Sequence, residues 1–234
     1  ILFSEYDADL LYSSAFKSEL KRLDLDSNKS FEITEADRVY SPTISGSNII
    51  ALQTDGASAN VISIDADNRK TVLASFNNAS PVSIKANPSS PNQLALIVNR
   101  RGVQALWITT PETISQDILQ SPRLAFKDAA VFDLDWHPSE QKLLFTADAY
   151  PAMNIYEFNL SNGDVLQKTN SLFNAFEASY SPDASSIAYV VHQNQEQMVA
   201  ILNEQDFYNK RIPRDALLSG NELQEKLTRP LLAA

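Results

Sequence analysis

The residues best equipped for chemistry lie in one short run, "FDLDWHP", where Asp133, Asp135 and His137 alternate along a strand-like segment. Side chains two apart point to one side of a strand, so the two carboxylates and the imidazole share a face. Paired carboxylates can act as acid and base, and an Asp–His pair can activate a nucleophile or bind a metal. His137, however, stands directly before Pro138, at the place a short polar residue takes in a Ser-Pro turn, and turn capping is the reading its position favours. Asp24, Asp65 and Asn159 recur at one place in successive units of the chain, at the end of a strand. Such recurrence points to structure, because an active site is seldom copied around an array. His192, in "VVHQNQEQ", reads as a solvated loop residue. The acidic run "DLDSNKSFE" from Asp24 shares some character with a calcium loop but lacks its glycine and its terminal ligand. No Gly-rich phosphate loop, no His–Glu–x–x–His and no Gly–x–Ser–x–Gly occurs. The expectation is a chain with no cofactor, no metal and no catalytic residue.

The elements that position these residues repeat. Five runs rich in β-branched and aromatic residues, "ILFSEY" from Ile1, "IIALQT" from Ile49, "LALIVN" from Leu94, "LLFTAD" from Leu143 and "IAYVVH" from Ile187, are spaced 48, 45, 49 and 44 residues apart. The last four each follow a proline, Pro42, Pro88, Pro138 and Pro182, set among Ser, Asp and Asn, which reads as a tight turn. Before each proline lies another strand, "DRVYS", "VSIKA", "FDLDW" or "FEASY", and later in each unit comes a third. "LKRLDLDSNKSFEIT" from Leu20 aligns without a gap to "IYEFNLSNGDVLQKT" from Ile155, both reading as strand, polar turn, strand. A unit is therefore four short strands in 44 to 49 residues, the size and strand count of one propeller blade. Radial stacking is the physical reason for such units: a sheet apolar on both faces is covered only by neighbours on both sides. A β-sandwich with evenly spaced strands is the alternative that the same propensities allow.

"YSPDASSIAYV" (Tyr180 to Val190) resembles the TolB-like, WD-type repeat: an aromatic, Ser-Pro-Asp-Gly, a polar pair, then Ile-Ala-Phe or similar. "DWHPSEQKLLFTAD" (Asp135 to Asp148) with "NIYEFNLSNG" (Asn154 to Gly163) resembles the same repeat and its third strand. The likeness covers about Ile1 to Asn203. It departs at the turn glycine, replaced by Ala184, Glu140 and Ser90. The fold expected is all-β: a β-propeller of four-stranded antiparallel blades, about five in this chain, the first incomplete because Ile1 already sits on a second strand. Residues 1–212 form the propeller, with blades near 1–36, 37–80, 81–126, 127–174 and 175–212, and "DFYNKRI" is the candidate last outer strand. Residues 213–234 form a short helical tail or linker of two helices split by Gly220, with Asn221 capping the second and Leu223 and Leu227 on one face. Ring closure then needs residues before Ile1 or a strand borrowed from the other end; the resemblance implies six or more blades in the parent protein.

Composition narrows the partners. Against 19 basic residues stand 29 acidic ones, a formal charge of −10 that repels phosphate backbones, so direct nucleic-acid binding is not expected. There is no Cys, hence no disulfide or thiolate metal site. No apolar run reaches the roughly 18 residues needed to span a bilayer. In a propeller of this type, the loops leading into the inner strands and those between second and third strands share one rim around the axis. That logic puts Arg38, Lys85, Asp133 and Glu177 on the incoming side, and Asp55, Arg100, Arg101, Tyr150 and His192 in the other loops. Mixed charge with an aromatic suits a protein or peptide partner, which other domains of the same chain could also supply. The four proline turns should lie on the opposite face, and Trp136 and Tyr180 between blades. The resemblance implies a non-catalytic interaction or sensory module of the bacterial cell envelope, periplasmic or otherwise extracytoplasmic. The alternatives are the propeller half of a prolyl-oligopeptidase-like peptidase, or a five-bladed glycosidase using Asp133 and Glu177.

Overall fold

The computed structural model describes residues 1–8, 16–35, 38–55, 58–120, 122–149, 151–193, 196–219, 221, 222, 225 and 226. Tyr150, Gly220, Leu223 and Leu227 lie outside them. The first blade holds β1 (Leu2–Ala8), β2 (Phe16–Asp24) and β3 (Lys29–Glu32). The second runs β4 (Val39–Ser45), β5 (Asn48–Asp55), β6 (Ser58–Ile64) and β7 (Lys70–Phe76) from axis to periphery. In the third, β8 (Ser80–Asn87), β9 (Ser90–Arg100), β10 (Val103–Thr109) and β11 (Leu124–Ala125) pair in the same order, with a short helix α1 (Ile114–Asp117) before β11. The fourth comprises β12 (Val131–Trp136), β13 (Lys142–Ala147), β14 (Asn154–Asn159) and β15 (Val165–Gln167), and the fifth β16 (Asn174–Tyr180), β17 (Ser186–Gln193) and β18 (Glu196–Asn203). Every pairing is antiparallel between sequence neighbours, save one. The architecture is the expected all-β propeller, and β1, a second strand by position, is the innermost described strand of its blade.

Apolar clusters fill the gaps between successive blades, as radial stacking requires. Leu20, Val39 and Ile62 lie between the first and second; Ile50, Leu52, Leu96 and Trp107 between the second and third. Ile97, Leu106, Trp136 and Phe145 lie between the third and fourth, and Leu144, Ile155 and Ile187 between the fourth and fifth. The gapless alignment of Leu20 with Ile155 holds at atomic detail. Leu20 N donates to Thr34 Oγ1 at 2.9 Å and Ile155 N to Thr169 Oγ1 at 3.0 Å, the same bond between aligned residues. Asn28 (φ 51°) and Gly163 (φ 76°) likewise take the same left-handed turn position.

Three sequence expectations are corrected. Pro42 is not a turn residue equivalent to Pro88, Pro138 and Pro182; it lies inside β4, and the turn of that blade is Gly46–Ser47, with Gly46 at φ 61°. Glycine takes this conformation without a Cβ clash, so the strand runs four residues beyond "DRVYS" before it reverses. The segment "DFYNKRI" does not complete the fifth blade. Its strand β19 (Lys210–Arg211) pairs with β15, on the outside of the fourth. The tail continues backwards: Leu217 bridges Phe126, and Leu218 N donates to Ala125 O at 2.8 Å on the third blade. A buried pair explains the detour. Lys168 and Glu157, 5 % and 6 % exposed, lie 3.3 Å apart; Lys168 Nζ also donates to Asn209 Oδ1 and sits 4.4 Å over the Phe207 ring. Ordering the strap satisfies a cation that the fourth blade alone would leave exposed on one side. Finally, the tail begins with a 3-10 turn (Arg214–Ala216), not an α-helix.

The last blade is uncovered on its outer side among the described residues. Val199 and Ile201 of β18 are 76 % and 71 % exposed, whereas Ile155, at the matching place in the fourth blade, is fully buried.

Candidate functional site

The inner strands of the second to fifth blades each carry a bulge at one place. The register skips between Tyr40 and Thr43, Pro81 and Ser83, Phe132 and Leu134, and Phe176 and Ser179. Ser41, Asp133 and Glu177 there adopt left-handed φ of 51°, 45° and 52°. A bulge leaves an N–H out of its own ladder. The preceding blade collects it: Ser41 Oγ accepts from Ile84 N at 3.1 Å and Thr43 Oγ1 from Ala86 N at 2.9 Å. Asp133 Oδ2 accepts from Glu177 N at 3.2 Å and from Thr146 Oγ1 at 3.0 Å. Asp135 Oδ2 accepts from Tyr180 N and Ser179 Oγ, both at 2.9 Å, while Lys85 approaches its other oxygen at 3.7 Å. Asp133 and Asp135 thus staple the fourth blade to the fifth, as Ser41 and Thr43 staple the second to the third. The third side chain of that sequence cluster turns out to cap: His137 Nδ1 accepts from Ser139 N and Glu140 N at 3.2 and 3.0 Å. Burial holds its pKa below the ordinary histidine value, which keeps that acceptor unprotonated. Asp24, Asp65 and Asn159 each accept backbone N–H groups two residues ahead, so their recurrence is turn structure.

Eight of the nine residues expected at the rim are described, and they separate into two sets. Lys85, Asp133 and Glu177 sit within β8, β12 and β16, the inner strands of their blades, rather than standing in incoming loops. Asp133 and Glu177 come together there; burial, and then the Asp133 charge, raise the Glu177 pKa. Arg38 and Asp55 lie at one end of the second blade, where Thr54 N donates to Arg38 O at 3.1 Å. Arg100 and Arg101 form the β9–β10 turn on that same end of the third blade, and exposed His192 lies near the end of β17 in the fifth. Tyr150 lies outside the described residues.

Two hollows open on this face and were not foreseen. One, of about 180 Å³, lies between the second and third blades against Phe76, Val98 and Trp107. The other, of about 240 Å³, is polar, with Gln104, Lys127, Asp128 and Asp148 around it. The sequence signal for the first was the length of the 110–123 segment, which interrupts the repeat. On the first blade, Glu5, Asp7 and Glu19 bring carboxylates within 4.8 Å of one another, and Lys21 is paired to Glu5 and, at 3.1 Å, to Glu19. No helix among the described residues is long and apolar enough to cross a membrane.

No family model matches the chain, and no curated protein matches its sequence. Solved structures do. TolB from Acinetobacter baumannii superposes with a TM-score of 0.62 at 17 % identity over 83 % of this chain; the chain spans 48 % of that protein, about half its length. A chain of a nidogen/laminin complex gives 0.63 at 8 % identity, covering 90 % of this chain and 76 % of that one. Puromycin hydrolase gives 0.59 at 14 % identity, covering 86 % of this chain and 34 % of the enzyme. One fold serving such different proteins speaks to architecture and not to activity. With its blade order, inner-strand bulges and these superpositions together, the chain has the fold of a TolB-like β-propeller.

Proposed function

We propose that this propeller is a non-catalytic module that binds a protein or peptide partner on the face carrying Arg38, Asp55, Arg100, Arg101 and His192, in the bacterial cell envelope. The carrying observation is how the axial carboxylates are used. Asp133 and Asp135 each hold an N–H of the next blade, so the groups best suited to acid–base work are structural. The face beside them presents charges of both signs on tight turns, which favours oriented protein contacts over catalysis. The TolB-like resemblance supports the envelope placement; the partner is a protein of that compartment or another domain of the parent chain.

A glycosidase reading has one observation in its favour. Glu177, with its raised pKa, stands beside Asp133, and environments that push two carboxylates apart are a catalytic pattern. Against it, Asp133 Oδ2 is already shared by Thr146 and the Glu177 N–H. The deciding experiment measures association with envelope proteins by binding kinetics for the native chain and an Arg38→Glu/Arg100→Glu variant. Slower, less salt-sensitive association with an unchanged melting curve supports the interaction reading. Unaltered association would move the partner site elsewhere, and glycoside turnover that vanishes in Asp133→Asn would replace the reading with catalysis.

A further inference from the structure

One connection in the propeller breaks the repeat. The first, second and fourth blades pass from third to fourth strand by a short polar turn, at 25–28, 65–69 and 160–164, but the third inserts residues 110–123. This insert folds as α1, buries Ile114 completely, and packs against β7 of the neighbouring blade. It is pinned further by Trp107 Nε1, which donates to Gln120 O at 3.1 Å, and by Asp117, which accepts from Thr109 and Thr113. Its far end, Ile118 and Leu119, closes one wall of the hollow between the second and third blades.

That hollow has a buried apolar floor and a polar mouth. Phe76, Val98 and Trp107 are 6 %, 2 % and 3 % exposed, whereas Leu119 is 77 % exposed at the margin. Its volume, about 180 Å³, is close to that of apolar cavities of about 150 Å³ that accept a benzene ring. The space suits one large side chain and excludes a multi-ring ligand. Arg100 stands at the mouth and has no ion-pair partner among the described residues. In a chain of net charge −10, a guanidinium with no ion-pair partner among the described residues, set beside an apolar pocket, favours a carboxylate at that place.

We propose that this pocket receives one large apolar or aromatic side chain of the partner, with an adjacent carboxylate held by Arg100. The inference rests on the interaction-module reading and names the chemistry of its ligand: a peptide C-terminus whose last residue is Phe- or Leu-sized, its side chain in the pocket and its terminal carboxylate on Arg100. The insert is the specificity element, since its Ile118 and Leu119 supply one wall of the pocket.

The chain has only two tryptophans, so its indole N–H region in a ¹H–¹⁵N spectrum holds two signals, assigned with a Trp107→Phe variant. The probes are N-acetyl-phenylalanine, which carries a carboxylate, and its amide, which does not. The carboxylate probe is expected to shift the Trp107 signal and leave Trp136 in place, with a dissociation constant on the order of a millimolar for a ligand of this size. The amide should bind about tenfold more weakly, an ordinary loss for one charge-assisted bond. Arg100→Gln should bring both probes to the weaker value. Ala79→Leu, which fills the pocket, should abolish the shift; Asn78→Phe, at the exposed mouth, serves the same purpose without altering packed residues or adding an indole signal. No Trp107 shift by roughly 20 mM probe, some twenty times that constant, overturns the proposal. So does a shift that survives both blocking variants, or equal affinity for the two probes. Because the probes are small molecules, their failure leaves the rim-variant kinetics intact, whereas loss of the rim effect with probe binding retained sinks the interaction reading alone.

Discussion

Replacing Asp135 by alanine should detach the fifth blade before the rest of the propeller loosens. Its carboxylate is 16 % exposed and accepts two hydrogen bonds at 2.9 Å from the fifth blade, one from the Tyr180 backbone and one from Ser179. Hydrogen bonds to a charged group contribute about 1.5–3 kcal/mol each, and an N–H left unpaired in a partly buried place adds to the loss. Residual water access takes some of it back, so the net cost is about 2–4 kcal/mol. In a stacked array each unit is stabilised by its nearest neighbours, and the fifth blade packs on the fourth alone among the described residues. Amide exchange in β16–β18 should therefore accelerate roughly 30- to 800-fold, the Tyr180 amide most directly, while β4–β10 keep their protection. Asp135→Asn retains an acceptor oxygen and should cost about 1 kcal/mol. An Asp135→Ala variant whose Tyr180 amide exchanges at the native rate, or whose urea midpoint matches the native protein, would refute the view that inner-strand side chains staple the blades.

Four further outcomes follow from the same contacts. Trp136→Ala removes a side chain 2 % exposed whose indole donates to Lys85 O at 3.0 Å, and should destabilise by about 3–5 kcal/mol in urea titrations followed by circular dichroism; a change below about 1 kcal/mol would make it a surface residue. His137 has a folded-state pKa below its unfolded value near 6.5, so the unfolded chain binds the proton first: stability is full above pH 6.5 and falls as the pH drops below it. His137→Asn, which keeps a capping acceptor as Asn87 does, should flatten the urea midpoint across that window, and an unchanged slope would clear His137 of the effect. Lys168→Met leaves Glu157 buried without its cation and should cost about 3–5 kcal/mol while freeing residues 207–218 to limited proteolysis; a tail still protected would mean that the pair does not anchor the strap. Ala184 sits at φ 60°, where glycine relieves about 1–2 kcal/mol of strain and returns part of it in chain entropy, so Ala184→Gly should raise stability by about 0.5–1 kcal/mol, measurable as a higher urea midpoint; a lower midpoint would show the turn unstrained.

Much of this protein was determined locally and was therefore readable in the chain. The 44- to 49-residue spacing of apolar runs dictates repeated four-stranded sheets, and the near-continuous apolar character of those runs leaves both faces needing cover, which radial stacking supplies. The capping tendency of His137 and the turn role of Asp24, Asp65 and Asn159 were equally local, because a side chain that bonds two or three residues ahead requires no distant partner. What the tertiary structure decided depends on the neighbour. Pro42 looks like its three counterparts in sequence, yet an inner-strand bulge absorbs it and Gly46 makes the turn. Asp133 and Asp135 read as a possible acid–base pair until the next blade's backbone arrives within 3.2 Å and 2.9 Å of them. The strap leaves the fifth blade for the fourth because Lys168 and Glu157 are buried there, a consequence of packing between blades that no window of sequence contains. The pocket beside Trp107 is of the same kind: its floor comes from two blades and its wall from an insert between two strands of one, so only the folded ring brings them to one place.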